Sequence, residues 1–188
     1  MRGDGQVVSV PFDQIPIEVA PGFRCTDGSI IVCNTNNGGE YRISTAEAEE
    51  RELTASDIAW NGNIRALVRM LKVWQREQNV PLKSFQLERL AIEFLAVWPF
   101  SNRDVFWYDW MVQDFFAHLL GRANGYLAMP GTSEIISLGF EWLTRAQTAY
   151  QEAVSACINE RDNYQVLACT DWQKIFGAAI PVLVYPLA

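Results

Sequence analysis

Ile64-Arg65-Ala66-Leu67-Val68-Arg69-Met70-Leu71-Lys72-Val73-Trp74-Gln75-Arg76 decides the fold class of this chain. Ile64, Leu67, Val68, Leu71 and Trp74 recur at helical spacing, so residues 62–78 form an amphipathic helix that needs an apolar partner. Asn79-Val80-Pro81 closes it. A second helix follows over residues 84–98, with Leu87, Leu90, Ala91, Phe94 and Leu95 inward and Pro99 as its stop. A third covers residues 104–120. Residues 121–132 read as a loop carrying Pro130-Gly131. A long helix is expected over residues 133–161, and Thr170-Asp171-Trp172-Gln173 reads as the capping box of a short terminal helix that Gly177 ends.

Upstream the pattern changes. Ser44-Thr45-Ala46-Glu47 fits a capping box, so helix begins there. Before it lie β-branched clusters punctuated by Pro, Gly and Asn. Val7-Val8-Ser9-Val10, Ile15-Pro16-Ile17-Glu18-Val19, Ser29-Ile30-Ile31-Val32-Cys33 and Tyr41-Arg42-Ile43 read as short strands, with Asp27-Gly28 as a turn. The expected architecture is α+β: a short N-terminal antiparallel β segment over residues 1–45, packed on a mainly α-helical body over residues 46–188. A few short strands cannot bury both faces alone.

Composition narrows the function. The 188 residues are 49% hydrophobic and 20% charged, an ordinary globular mixture. The net charge of −7 argues against DNA or RNA as general partners, which require a basic footprint. No apolar run approaches the roughly 20 residues that span a bilayer. The first residues lack the basic-then-apolar pattern of an export signal, so no membrane is expected and a cytoplasmic location is the default. The four cysteines include no C-x-x-C pair, and His118 is the only histidine. A zinc finger and a histidine-dependent triad are thereby disfavoured. His118 lies in an apolar run and reads as a core or interface residue.

Three features are candidates for chemistry. Arg65, Arg69, Lys72 and Arg76 are spaced by four, three and four residues, which puts them on one helix face. With Lys83 and Ser84 of the next loop, Ser84 also reading as the N-cap of the following helix, they offer a place for a polyphosphate; the bland reading is a solvated face. Glu18 is an acid within an apolar strand, turned either to solvent or to a metal. Two-metal phosphoryl transfer needs several converging carboxylates, and one does not suffice. The Asn-rich loop 34–39 with Tyr41 is able to read or stack a base, or is plain turn chemistry.

In order along the chain, Ile17-Glu18-Val19-Ala20-Pro21-Gly22-Phe23, Asn36-Asn37-Gly38-Gly39-Glu40-Tyr41, Leu67 to Trp74, Pro81 to Glu88, Gly131-Thr132-Ser133 and Trp172 to Gly177 resemble landmarks of one group. It is the cGAS/DncV-like nucleotidyltransferases, also called SMODS or bacterial oligoadenylate-synthase-like proteins. The resemblance implies a polymerase beta-like sheet remnant on a helical body. It also implies the family's activity, synthesis of cyclic di- or oligonucleotides from nucleoside triphosphates with Mg²⁺ in anti-phage signalling. It implies that Lys72 and Ser84 hold the donor triphosphate, that Glu18 is the third metal-site carboxylate, and that Tyr41 stands at an aromatic position of the nucleotide site. Before Glu18 there is no Gly-Ser and no pair of carboxylates two residues apart, both of which that family uses. The chain is therefore expected to be the C-terminal part of such an enzyme, inactive alone. Alternatives are a non-catalytic nucleotide-binding module and an interaction domain that complements a separate N-terminal half.

Overall fold

A computed structural model describes residues 2–4, 7–11, 17–26, 29–34, 38–44, 46–131 and 134–181. The fold is mixed α+β, with short antiparallel strands first and six α-helices among the described residues. The chain divides into two compact units, residues 1–50 with 129–133, and residues 51–128 with 134–188.

In the first unit, β1 (Arg2–Asp4), β2 (Val7–Val10) and β3 (Ile17–Val19) form one antiparallel sheet in chain order. β4 (Gly22–Arg24), β5 (Ile30–Asn34) and β6 (Glu40–Ser44) form a second. The β-branched clusters supply β2, β3 and β5, as their propensity dictates. The described part of the second predicted strand is Ile17–Val19; Ile15 and Pro16 fall outside the described residues, as do Asp27, Gly28, Asn36, Asn37, Thr132 and Ser133. β4 was not foreseen, because Pro21-Gly22 reads as a strand end. Gly22 instead opens a strand, paired with Val32. A Cβ there would lie 2.8 Å from the Ile30 side chain and 3.2 Å from the Ile31 carbonyl, so the close pairing depends on glycine.

α1 (Ala46–Ala59) follows β6. Ser44 Oγ accepts from the Ala46 N–H at 3.4 Å, so the serine serves the first residue of the helix rather than its third turn position. The predicted amphipathic helix is α2 (Asn63–Glu77), and the next is α3 (Ser84–Val97). A single 3₁₀ turn, Val105–Trp107, leads into α4 (Tyr108–Leu120), and Asp104 caps it through the Phe106 N–H. Trp74 meets Phe116 edge-on at 4.9 Å, and Phe94 meets Phe115 at 5.6 Å. Ile64, Leu67, Leu71, Leu87, Leu90 and Leu95 are fully buried around them, which is the core the periodicity calls for.

Two expectations for this unit are corrected. The segment read as a loop and helix start is a hairpin, β7 (Tyr126–Ala128) with β8 (Ile135–Ser137). The long helix then begins at Leu143 as α5 (Leu143–Arg161), not near residue 133. The β-branched Ile135-Ile136 pair favours strand, and Gly139 at φ 61 is a conformation that no helix continues through. Trp142, fully buried, donates its Nε1–H to the Leu138 carbonyl at 2.8 Å and fixes the turn into α5. The last helix, α6 (Gln165–Phe176), starts five residues before the predicted cap. Asn163, at φ 63, ends α5, and Thr170 bonds back to the Val166 carbonyl at 2.8 Å inside α6 instead of capping it. Ala146, Ala149, Ala153 and Ala156 make a small buried stripe along α5.

Two buried polar side chains of this unit, Asn63 and Asp57, are matched. Asn63 donates to the Ser101 and Arg103 carbonyls, both at 2.8 Å, and accepts from the Tyr108 hydroxyl at 3.0 Å. Asp57 accepts from the Arg65 backbone N–H at 2.9 Å, serving a free donor in the first turn of α2 that Gly62 has no side chain to reach. No helix among the described residues is long and apolar enough to cross a membrane.

Candidate functional site

The helical hairpin puts the two predicted residues Lys72 and Ser84 on neighbouring helices. Gln78 to Lys83 turn the chain back, with Val80 and Leu82 buried and Asn79 in the left-handed region at φ 48. α3 therefore returns alongside α2. Lys72, on the outer face of α2, reaches across so that its Nζ donates to Glu88 Oε1 at 2.7 Å. Glu88 stands one turn after Ser84 on the same face of α3. Ser84 is exposed and is the first residue of α3, so the free backbone donors of that helix start beside it. Lys83, not Ser84, occupies the cap position, and its N–H is taken by Gln86 Oε1 at 2.7 Å.

The rest of the basic stripe is largely neutralised in place. The Arg65 guanidinium meets Asp57 at 3.3 Å and also donates to Thr54. Arg76 pairs with its neighbour Glu77 at 2.9 Å. Arg69 is exposed and makes no ion pair among the described residues. The spacing announced the cations, while their carboxylate partners Asp57 and Glu88 went unnoticed. Asp57 lies eight residues upstream and Glu88 on another helix, so no local pattern marks either.

Glu18 and Tyr41 belong to the first unit, in separate sheets. Glu18 is exposed at the middle of β3, opposite Ser9 on β2, and the next register position across, on β1, is Arg2. Its cross-strand row thus offers no second carboxylate. Among the described residues no group of three or more His, Cys, Asp or Glu side chains is placed to hold a metal ion. Mg²⁺ demands near-octahedral oxygen ligation, and a lone exposed carboxylate beside a serine does not fit the two-ion arrangement that the resemblance implies. Tyr41 is 76% exposed on β6, opposite Cys33, and lines a shallow hollow with Asn34, Gly38, Gly39 and Glu40. Gly38 and Gly39 take φ of 93 and 86, so the loop is shaped by residues free of a Cβ. Asn34 donates to Glu40 at 3.0 Å, which commits one of the Asn side chains to the loop itself.

His118 is half-buried against Phe94, ring centroids 5.7 Å apart. Burial holds its imidazole below the ordinary value, and the Arg122 charge adds to this while Glu93 opposes it. The ring is therefore neutral near pH 7. All four cysteines are free thiols.

No family model matches the chain, and no curated protein matches it.

Proposed function

We propose that this chain is the helical part of a cGAS/DncV-like nucleotidyltransferase, and that it holds the triphosphate of a nucleoside triphosphate through Lys72 and Ser84. The observation that carries the reading is the reach of Lys72 from α2 to Glu88 on α3, one turn along the helix from Ser84 and the start of α3. An ammonium, a hydroxyl and a helix N-terminus are the donors a polyphosphate requires. Glu88 is the resident counter-ion. The pair is partly exposed, with 44% of the Lys72 side chain open to solvent. Such pairs contribute about 0–1 kcal/mol, so a multiply charged phosphate tail displaces the carboxylate readily. Tyr41, in the other unit, keeps the aromatic role that the resemblance implies. Glu18 is proposed as a metal-site carboxylate only in the company of further carboxylates. The chain by itself binds nucleotide and makes no cyclic product. Cytoplasmic anti-phage signalling is the setting the resemblance implies.

The alternative reading is an interaction domain that completes a separate half. It is favoured by the β4–β5–β6 sheet, which leaves Phe23, Tyr41 and Ile43 exposed on strands whose outer edges are unpaired among the described residues.

Calorimetric titration with ATP and GTP, with and without Mg²⁺, tests the first reading. Lys72→Ala is expected to weaken binding about tenfold or more, since it removes a charge-assisted bond. An absence of binding by the unsubstituted chain would overturn it.

A further inference from the structure

A second site lies in the helical unit, away from Lys72 in the sequence and unrelated to it. The 3₁₀ turn, the first turn of α4 and the last turn of α5 enclose a surface pocket of about 300 Å³. Its walls are aromatic: Phe106, Trp107 and Trp110. Phe106 is 86% exposed and Trp110 49%, so large ring faces stand open to solvent. Trp107 and Trp110 meet edge-to-face with centroids 5.2 Å apart, which fixes both rings. The polar part is acidic. Asp109 comes from the start of α4 and Glu160 from the end of α5. Glu160 Oε1 accepts from the Trp172 indole N–H at 2.6 Å, so α6 holds that carboxylate in place.

The local field asks for a cation. Burial pushes the Glu160 carboxyl up, Asp109 beside it adds to the rise, and the Trp172 bond opposes it. Beneath them the Cys157 thiol is pushed up to about 12 by burial and then by Asp109, Glu160 and Asp114. The partial negative charge at the C-terminal end of α5 falls on the same spot. Arg161, the one basic residue of the lining, is tied to its neighbour Asp162 at 2.9 Å. A metal ion is disfavoured, since the described residues offer no cluster of three ligating side chains. The ring faces favour an organic cation instead. The cluster already accepts one: the Arg103 guanidinium lies 4.9 Å above the Trp107 ring.

We propose that this pocket receives an arginine side chain presented by a partner protein. A planar guanidinium stacks on Trp110 and Phe106 while its N–H fork engages Asp109 and Glu160, a combination that a compact ammonium does not reproduce. A protein partner is favoured over a free small cation because exposed Val105 and Phe106 continue the apolar surface at the rim. Tryptophan and arginine are enriched among the residues that dominate protein–protein binding energy.

The test is calorimetric titration of the full chain with a capped peptide of three arginines separated by Gly-Ser. The matching lysine and citrulline peptides serve as controls. The arginine peptide is expected to bind at least about fivefold more tightly than the lysine peptide, and the citrulline peptide to lose binding. Trp110→Ala and the double variant Asp109→Asn, Glu160→Gln are each expected to weaken the arginine peptide about tenfold. Phe106→Ala, at a nearly fully exposed position, repeats the test without touching the fold. Equal binding of the arginine and lysine peptides would overturn the proposal, being mere attraction to a chain of charge −7. Equal binding by the wild type and Phe106→Ala, or no binding at all, would do the same.

Discussion

The helical unit and the strand unit solve the burial problem to very different degrees. The buried residues of the helical unit run from Asp57 to Phe176, with Trp74, Trp142, Phe115 and Phe116 wholly enclosed. Between residues 7 and 50 no described residue is buried, and Phe23, Tyr41 and Ile43 are mostly open. Element length accounts for much of the difference. Helices of 12 to 19 residues present an apolar stripe several turns long. Strands of three to five residues place only one to three side chains on each face. A three-stranded sheet of that size has little area to remove from water.

The largest test of that contrast is a pair of truncations. Leu90→Ala, at the centre of α3, is expected to cost about 3–5 kcal/mol. Ile31→Ala, in the middle of β5 and only half-buried, is expected to cost less than about 1.5 kcal/mol. Urea denaturation followed by far-UV circular dichroism reads both. An Ile31→Ala loss equal to the Leu90→Ala loss would end the contrast.

A smaller effect concerns acid. Burial alone would raise the Asp171 carboxyl, but Lys174 at 2.8 Å, Ser155 at 2.6 Å and Asn159 at 2.9 Å together hold it below the ordinary value. A carboxyl lowered on folding contributes stability above its unfolded pKa and loses it as pH falls through the folded one. The helical unit is thus expected to weaken below about pH 4. Asp171→Asn is expected to lose about 2 kcal/mol at pH 7 and to show a shallower acid limb. A stability profile of the variant parallel to that of the wild type between pH 5 and 2 would count against this network.

The smallest effect sharpens the comparison at single atoms. Cys157 is buried and pushed up to about 12, whereas Cys25 and Cys33 are half-buried in the strand unit. At pH 8 Cys157 is thereby held almost wholly as the unreactive thiol. Iodoacetamide labelling read by mass spectrometry is expected to modify Cys25 and Cys33 well before Cys157, with urea abolishing the difference. Labelling of Cys157 in step with the other two would break the comparison.

Legibility in the sequence followed the same division. α2 and α3 begin and end within about a residue of where Ile64 to Trp74 and Ser84 to Trp98 place them, because amphipathic periodicity and Pro81 and Pro99 are local signals. The β7–β8 hairpin was not legible. Its pairing joins Leu127 to Ile136 across a turn, and short apolar runs read equally as helix or strand. β4 was hidden for a related reason: Gly22 is needed by a neighbour strand, not by its own segment. At the candidate site the type and spacing of Lys72 and Ser84 were readable, but the Glu88 that occupies Lys72 was not. The row that sets Ser9 beside Glu18 is likewise a matter of register, which the strand sequence alone does not declare. The aromatic pocket gave a partial signal in Phe106-Trp107-Tyr108-Asp109-Trp110, yet its second carboxylate comes from Glu160, fifty residues on.

The tryptophans are distributed unevenly. All seven, from Trp60 to Trp172, lie in the helical unit, and none precedes Trp60. Intrinsic indole emission therefore watches one unit and is blind to the other. An emission melt of this chain follows the loss of the packed helices around Trp74 and Trp142, and the opening of the six N-terminal strands leaves that signal unchanged unless the helices respond. A tryptophan introduced at Phe23 would give the strand unit a reporter of its own.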